Sequence, residues 1–236
     1  MQTFTISLTS RTTLLSKRRP PPHCRDNADE TNMLTLGLLA SHRGSNVQAV
    51  VEACRTGRLE ARPAVVISNN ANSGVLQFAE QSGIPARRIG GAAYGDDRIR
   101  DAAILDALRS HAVDLVLLLG YMKLLGPQTT AAYRGRILNT HPALLPKYGG
   151  KGMYGARVHE AVLAAGELET GVTVHLVDEQ YDHGEIVAQC RVPVERGDTV
   201  ESLSARVLER EHGFLVETLQ AIAAGDLRMT GLSDKR

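Results

Sequence analysis

The 236-residue chain has no tryptophan and only three phenylalanines. Sequence-tolerant binders of single-stranded nucleic acid stack bases on aromatic rings, and few such rings are available here. Positive charge is not in surplus either. Of 27 Lys and Arg and 26 Asp and Glu in all, five basic and three acidic residues fall in positions 1–32, leaving 22 against 23 in the rest. A balanced body lacks the clustered cations that neutralise a phosphate backbone. Cysteine is scarce: Cys24, Cys54 and Cys190 stand far apart with no CxxC spacing. That pattern excludes a disulfide framework or zinc ribbon and fits a reducing compartment such as the cytoplasm. Apolar runs are short, and the stretch from Val113 to Gly120 falls well below the ~18–20 residues that span a bilayer. Neither a nucleic acid nor a membrane is expected as a partner. Two familiar catalytic signatures are missing as well. "HEAVL" at His159–Leu163 starts like a zinc-protease helix but lacks the second histidine, so no metal is expected, and there is no GxSxG elbow.

The residues that are present alternate in a regular way. Residues 1–32 are rich in Ser, Thr and Arg and contain the run Arg19–Pro22. They read as a disordered leader, either an organelle transit peptide or sequence ahead of a true start at Met33. From Leu34, "LTLGLLA" and "PAVVIS" (63–68) read as strands, "ARRI" (86–89) as a weak one, and "VDLVLLLG" (113–120) as a strand buried on both faces. Between them, Val47, Val50, Val51 and Cys54 recur at helical spacing, as do residues in 74–81 and 98–110. "GRILN" (135–139) follows as another strand. Strands alternating with helices predict an open, mostly parallel, twisted sheet flanked by helices. The last third changes rhythm. "GVTVHLVD" (171–178) and "EIVAQCRVPV" (185–194) read as a hairpin-like antiparallel extension, and 199–224 as a final helix.

Ligands of such sheets lie beyond the carboxyl ends of the strands, and three polar clusters fall there. "SHRGSN" (41–46) offers Gly44, Ser45 and Asn46 where a helix begins, a natural anion site. The alternative is an ordinary turn with Ser45 or Asn46 as helix cap. In "ILNTHPALLP" (137–146), Asn139 and His141 are two residues apart and share one face of an extended chain. An amide N–H can stabilise an oxyanion and an imidazole can move a proton near neutral pH, although a merely satisfied strand end has the same look. "VDEQYDHG" (177–184) is either a solvated acidic turn or the source of a carboxylate partner for the histidine.

Taken together and in this order, the clusters resemble the formyltransferase family that uses 10-formyltetrahydrofolate. The matching stretches are "GSN" (44–46), "GYMKLLGP" (120–127), "ILNTHPALLPKY" (137–148), "VTVHLVDEQYDHGEIVAQ" (172–189) and "REH" (210–212). The resemblance covers residues 33 to about 229, which would make 33–236 the formyltransferase catalytic domain with a Rossmann-like fold. It implies transfer of a formyl group from 10-formyltetrahydrofolate to the amine of 5'-phosphoribosylglycinamide, a step of purine biosynthesis, by direct attack through a tetrahedral intermediate. Asn139, His141 and Asp182 would be the catalytic trio, with Asp182 holding the imidazole charged and oriented. Gly44, Ser45 and Asn46 would bind the substrate phosphate, and Glu211 the ribose hydroxyls, with Leu208, Glu209 and Arg210 beside it. Met122, Lys123, Leu124 and Leu125 would line the pterin pocket, joined by the loop Asp178, Glu179, Gln180, Tyr181 and Asp182. Arg98 would meet the folate tail. The resemblance extends to a cis Leu145–Pro146 bond.

The chain departs from the family pattern in Lys123, where many members carry Arg, and in the longer segment 149–162. Sister enzymes of the family are expected to look different. A methionyl-tRNA formyltransferase carries a further tRNA-binding domain, and a formyltetrahydrofolate hydrolase uses water as acceptor. A non-catalytic folate-binding module would have no need of the trio. A monomer or a homodimer is compatible with everything above.

Overall fold

The computed structural model describes residues 33–91, 94–229 and 231–232. The expected leader therefore lies outside the described residues. Seven strands form one sheet: β1 (Leu34–Leu39), β2 (Ala61–Ser68), β3 (Ala86–Arg88), β4 (Leu115–Leu118), β5 (Ile137–His141), β6 (Glu169–Leu176) and β7 (Ile186–Pro193). Among the described residues six helices accompany them: α1 (Ser45–Arg55), α2 (Gly74–Gln81), α3 (Asp97–Ser110), α4 (Pro127–Ala132), α5 (Ala156–Ala164) and α6 (Val200–Ala224). The sheet order is β3-β2-β1-β4-β5-β6-β7. The first five strands run parallel, while β6 pairs antiparallel with β5 and β7 with β6. Among the described residues no helix is long and apolar enough to cross a membrane.

The unbroken apolar runs of β1 and β4 follow from burial on both faces. Leu36, Leu38, Leu115 and Leu117 join a core with α1, α2 and α6, where Val47, Val50, Val207 and Leu215 are inaccessible to solvent. Leu39, Val116 and Leu118 point the other way, toward Ile104, Leu108 and Tyr133. The α3 layer packs so closely that a Cβ at Gly37 would lie 2.6 Å from Leu108 Cδ2. Alternate strand residues thus feed alternate layers, which positions the strand ends as one rigid edge.

The predicted strands and helices are present, with shifted ends. The segment 135–139 becomes β5 at 137–141, so His141 is the last strand residue rather than the second beyond it. Two short helices, α4 and α5, lack a sequence-based expectation. α4 has six residues, and the carboxylate of Asp101 accepts from the N–H groups of Gln128 and Thr129 at its start, at 2.8 and 3.1 Å. That partner sits 27 residues away, so no local window contains the signal. The Leu145–Pro146 bond is cis.

Candidate active site

From β1 the chain winds outward through β2 and β3, and from β4 it winds the opposite way through β5. The switch between β1 and β4 leaves a crevice at the carboxyl ends of the strands, the place where such sheets bind ligands. A cleft of about 1120 Å³ occupies it, lined by the loop after β1, residues 118–125 from the end of β4 onward, and the end of β5.

Gly44 begins α1 in a left-handed conformation, φ 71°, and a Cβ there would meet Val75 Cγ2 at 2.4 Å. Only glycine fits both demands. No side chain caps this helix, so Ser45 and Asn46 are not the caps that a plain turn would make of them. Asn46 instead donates from Nδ2 to Glu211 Oε1 at 2.9 Å. Burial raises the Glu211 carboxyl above its ordinary range, against the pull of hydrogen bonds from Thr140 and Asn46. Across the crevice, Ser41 Oγ accepts from the Met122 N–H at 2.8 Å and donates to Asn69 at 2.6 Å. The loop after β1 and the segment after β4 are thereby tied together.

At the end of β5, Asn139 and His141 point into the crevice beside Asp182. Asp182 Oδ2 lies 3.5 Å from His141 Nδ1, and Asp182 Oδ1 lies 3.5 Å from Asn139 Nδ2. His141 Nε2 donates to the Tyr148 carbonyl at 2.8 Å. Burial pushes the imidazole below the usual histidine range, and the Asp182 charge and Tyr148 carbonyl restore only part of it. Dehydration and the Asp182 carboxylate therefore pull the ring in opposite directions. Burial would raise Asp182, but the neighbouring His175 and His141 rings and the Gly150 N–H together hold its carboxyl below the ordinary value. The Gly150 N–H reaches Asp182 Oδ2 at 2.9 Å.

Known proteins share this sequence pattern and fold. A family model described as formyl transferase matches residues 36–219. The chain belongs to the formyl transferase family. It is 42% identical over 187 residues to the chloroplastic phosphoribosylglycinamide formyltransferase of Vigna unguiculata, covering 79% of this chain and 60% of that one. It is 39% identical over 197 residues to the phosphoribosylglycinamide formyltransferase of Haemophilus influenzae, covering 84% and 91%. The crystal structure of glycinamide ribonucleotide transformylase 1 from Symbiobacterium toebii superimposes with a TM-score of 0.77 at 38% identity, covering 86% and 95%. The chain thus spans three-fifths of the Vigna relative and nearly all of the Haemophilus one.

This member of the formyl transferase family gathers most of its sequence-predicted residues around the cleft: Gly44, Ser45, Asn46, Met122, Lys123, Leu124, Leu125, Asn139, His141, Gln180, Tyr181, Asp182 and Glu211. The others lie outside the lining. Arg98 is at the start of α3, its side chain 88% exposed and 3.5 Å from Asp96. Asp178 accepts from the Gln180 N–H at 2.8 Å, and Glu179 is exposed beside it. Leu208 and Glu209 face outward on α6, and Arg210 pairs with Glu217 at 2.9 Å. Sequence reasoning missed His175, the Tyr148 carbonyl and the Gly150 N–H. His175 is buried and stands directly across from Asn139 in the β5–β6 pair. Knowing that register was the only route to it, because a lone polar residue in an alternating strand is unremarkable by itself.

Proposed function

We propose that this chain transfers the formyl group of 10-formyltetrahydrofolate to the amine of 5'-phosphoribosylglycinamide, a step of purine biosynthesis. One observation carries the reading: a single cleft joins Asn139, His141 and Asp182 to the uncapped start of α1 and the buried Glu211. Pockets for one small ligand run to roughly 300–1,000 Å³, and about 1120 Å³ suits two substrates meeting end to end. Met122, Leu124 and Leu125 supply an apolar wall for a pterin, while Ser45, Asn46 and Glu211 supply donors and a carboxylate for a phosphorylated ribose.

In the reaction, the amine nitrogen bonds to the formyl carbon, the bond from that carbon to folate N10 breaks, and one proton passes from the amine to N10. Asn139 meets the negative charge that develops on the formyl oxygen with an amide N–H. His141 carries the amine proton at Nδ1, where Asp182 Oδ2 stabilises the imidazolium across 3.5 Å. Tyr148 fixes the ring through Nε2, so the proton returns along a fixed direction to the leaving nitrogen. Arg98, Asp178, Glu179, Leu208, Glu209 and Arg210 would bear on the substrates only from outside the cleft wall. The compartment we propose is a reducing one, the cytoplasm or, as for the plant relatives named chloroplastic, an organelle.

The test is to incubate the protein with 10-formyltetrahydrofolate and follow deformylation spectroscopically. Turnover is expected with 5'-phosphoribosylglycinamide and not with water alone or with other phosphorylated amines. Deformylation at the same rate without any amine would replace the transferase reading by a hydrolase.

A further inference from the structure

Asn139 can serve a developing oxyanion only through its amide N–H groups, since its Oδ1 would repel the same charge. The two ends of an asparagine amide have nearly the same shape, so packing alone does not choose between them. His175 makes the choice. It is 2% exposed, sits opposite Asn139 in the antiparallel β5–β6 pair, and places Nε2 at 3.0 Å from Asn139 Nδ2. Its other ring nitrogen, Nδ1, lies 2.9 Å from the Leu176 carbonyl oxygen. A carbonyl can only accept, so Nδ1 carries a proton, and in the uncharged ring Nε2 presents a lone pair. An amide NH₂ can meet that lone pair and an amide oxygen cannot. Asp182 Oδ1 adds a second acceptor, 3.5 Å from both Asn139 Nδ2 and His175 Nε2.

We propose that His175 is a positioning residue for formyl transfer, whose Nδ1–H tautomer, set by the Leu176 carbonyl, holds the Asn139 amide with its nitrogen toward Asp182 and the reacting carbon. One amide N–H is held by His175. The second, which meets Asp182 Oδ1 only at 3.5 Å, is the one that turns to the formyl oxygen when substrate is bound. This inference rests on the proposed formyl transfer, because it assigns Asn139 its duty there.

The test is a double-mutant cycle in the full chain. His175→Phe keeps a ring but removes the acceptor, and should lower kcat roughly tenfold or more, part of the ~10²–10³ that one oxyanion donor contributes, with both KM values within about twofold. His175→Gln, whose Oε1 can accept in place of Nε2, should recover most of that loss. In an Asn139→Ala background His175→Phe should cost nothing further, since its partner is already gone. A purely structural histidine would cost the same in both backgrounds, and that result, or full activity of His175→Phe, overturns the proposal. An independent reading comes from the unmutated protein, whatever the variants do. Nitrogen NMR of the His175 ring should show Nδ1 protonated and Nε2 bare, and a proton on Nε2 instead would equally overturn it. If the unmutated enzyme transfers formyl while the cycle is additive, only the role of His175 fails.

Discussion

Both groups that hold the His141 ring sit on left-handed backbone. Tyr148, which lends its carbonyl, has φ 57°, and Asp182, which faces Nδ1, has φ 54°. Non-glycine residues in that region are uncommon and cost of order 1–3 kcal/mol unless their surroundings compel them. Here the Gly150 N–H anchors the Asp182 carboxylate. Asparagine tolerates the left-handed region as aspartate does and can still accept from Gly150, but it brings no charge to His141. Asp182→Asn should therefore fold normally and lose about 10²–10⁴ in kcat. His141→Ala should lose a comparable amount for want of a proton carrier. Steady-state kinetics beside a melting curve decides the matter, and near-wild-type turnover in either variant would remove that residue from the chemistry. At this scale, Asn139 and His141 were legible because two residues in one strand share a face. Asp182 became legible only beside a known family pattern, because 41 positions separate it from His141 and nothing local links them.

Among the elements, α1 and α6 face each other across the substrate side of the cleft through Asn46 and Glu211. The two helices differ in how they begin. α1 starts uncapped at Gly44, which leaves its dipole and N–H groups for an anion. α6 begins with a full capping box, Thr199 accepting from Ser202 N–H at 3.2 Å and Ser202 Oγ accepting from Thr199 N–H at 3.0 Å. Ser45→Asp should place a like charge at the open end and raise the KM for the phosphorylated substrate, with little change in the KM for the folate. An unchanged KM would take the loop out of the site. Thr199→Ala removes a cap about three turns from Glu211, and should lower stability by about 1 kcal/mol in urea titrations while both KM values stay put. α6 was readable because a long helix repeats its apolar spacing many times. α4 was not, because six residues hold less than two turns and its start is secured by Asp101 from α3.

Across the whole molecule, dehydrated histidines set the response to acid. Burial lowers His141, with partial relief from Asp182, and lowers His159 and His212; the His141 charge acts on His159 in the same direction. A histidine whose folded pKa lies below its unfolded value of 6.5 takes up protons first in the unfolded state. Stability is then complete above that value and declines as pH falls below it. Asp182 acts in the same sense but lower, its stabilisation fading as pH drops beneath the ordinary 3.8. The urea midpoint should fall between about pH 7.5 and about pH 5.5. His159→Phe, which removes a buried ring whose Nδ1 has no partner, should make that fall shallower. An equally steep fall would show that His159 does not contribute.

The amino-acid sequence by itself determined the alternation of strands and helices, the burial of β1 and β4 on both faces, and the two-residue spacing that aims Asn139 and His141 one way. Periodicity and turn chemistry are local, and local order suffices for them. Only the tertiary structure decided the opposition of burial and carboxylate at His141, because that depends on how much water the fold removes. The fold likewise decided that Arg98 and Arg210 turn toward acidic neighbours outside the cleft. The pairing of His175 with Asn139 came from the register of two antiparallel strands, and a separation of 36 positions must close before it exists.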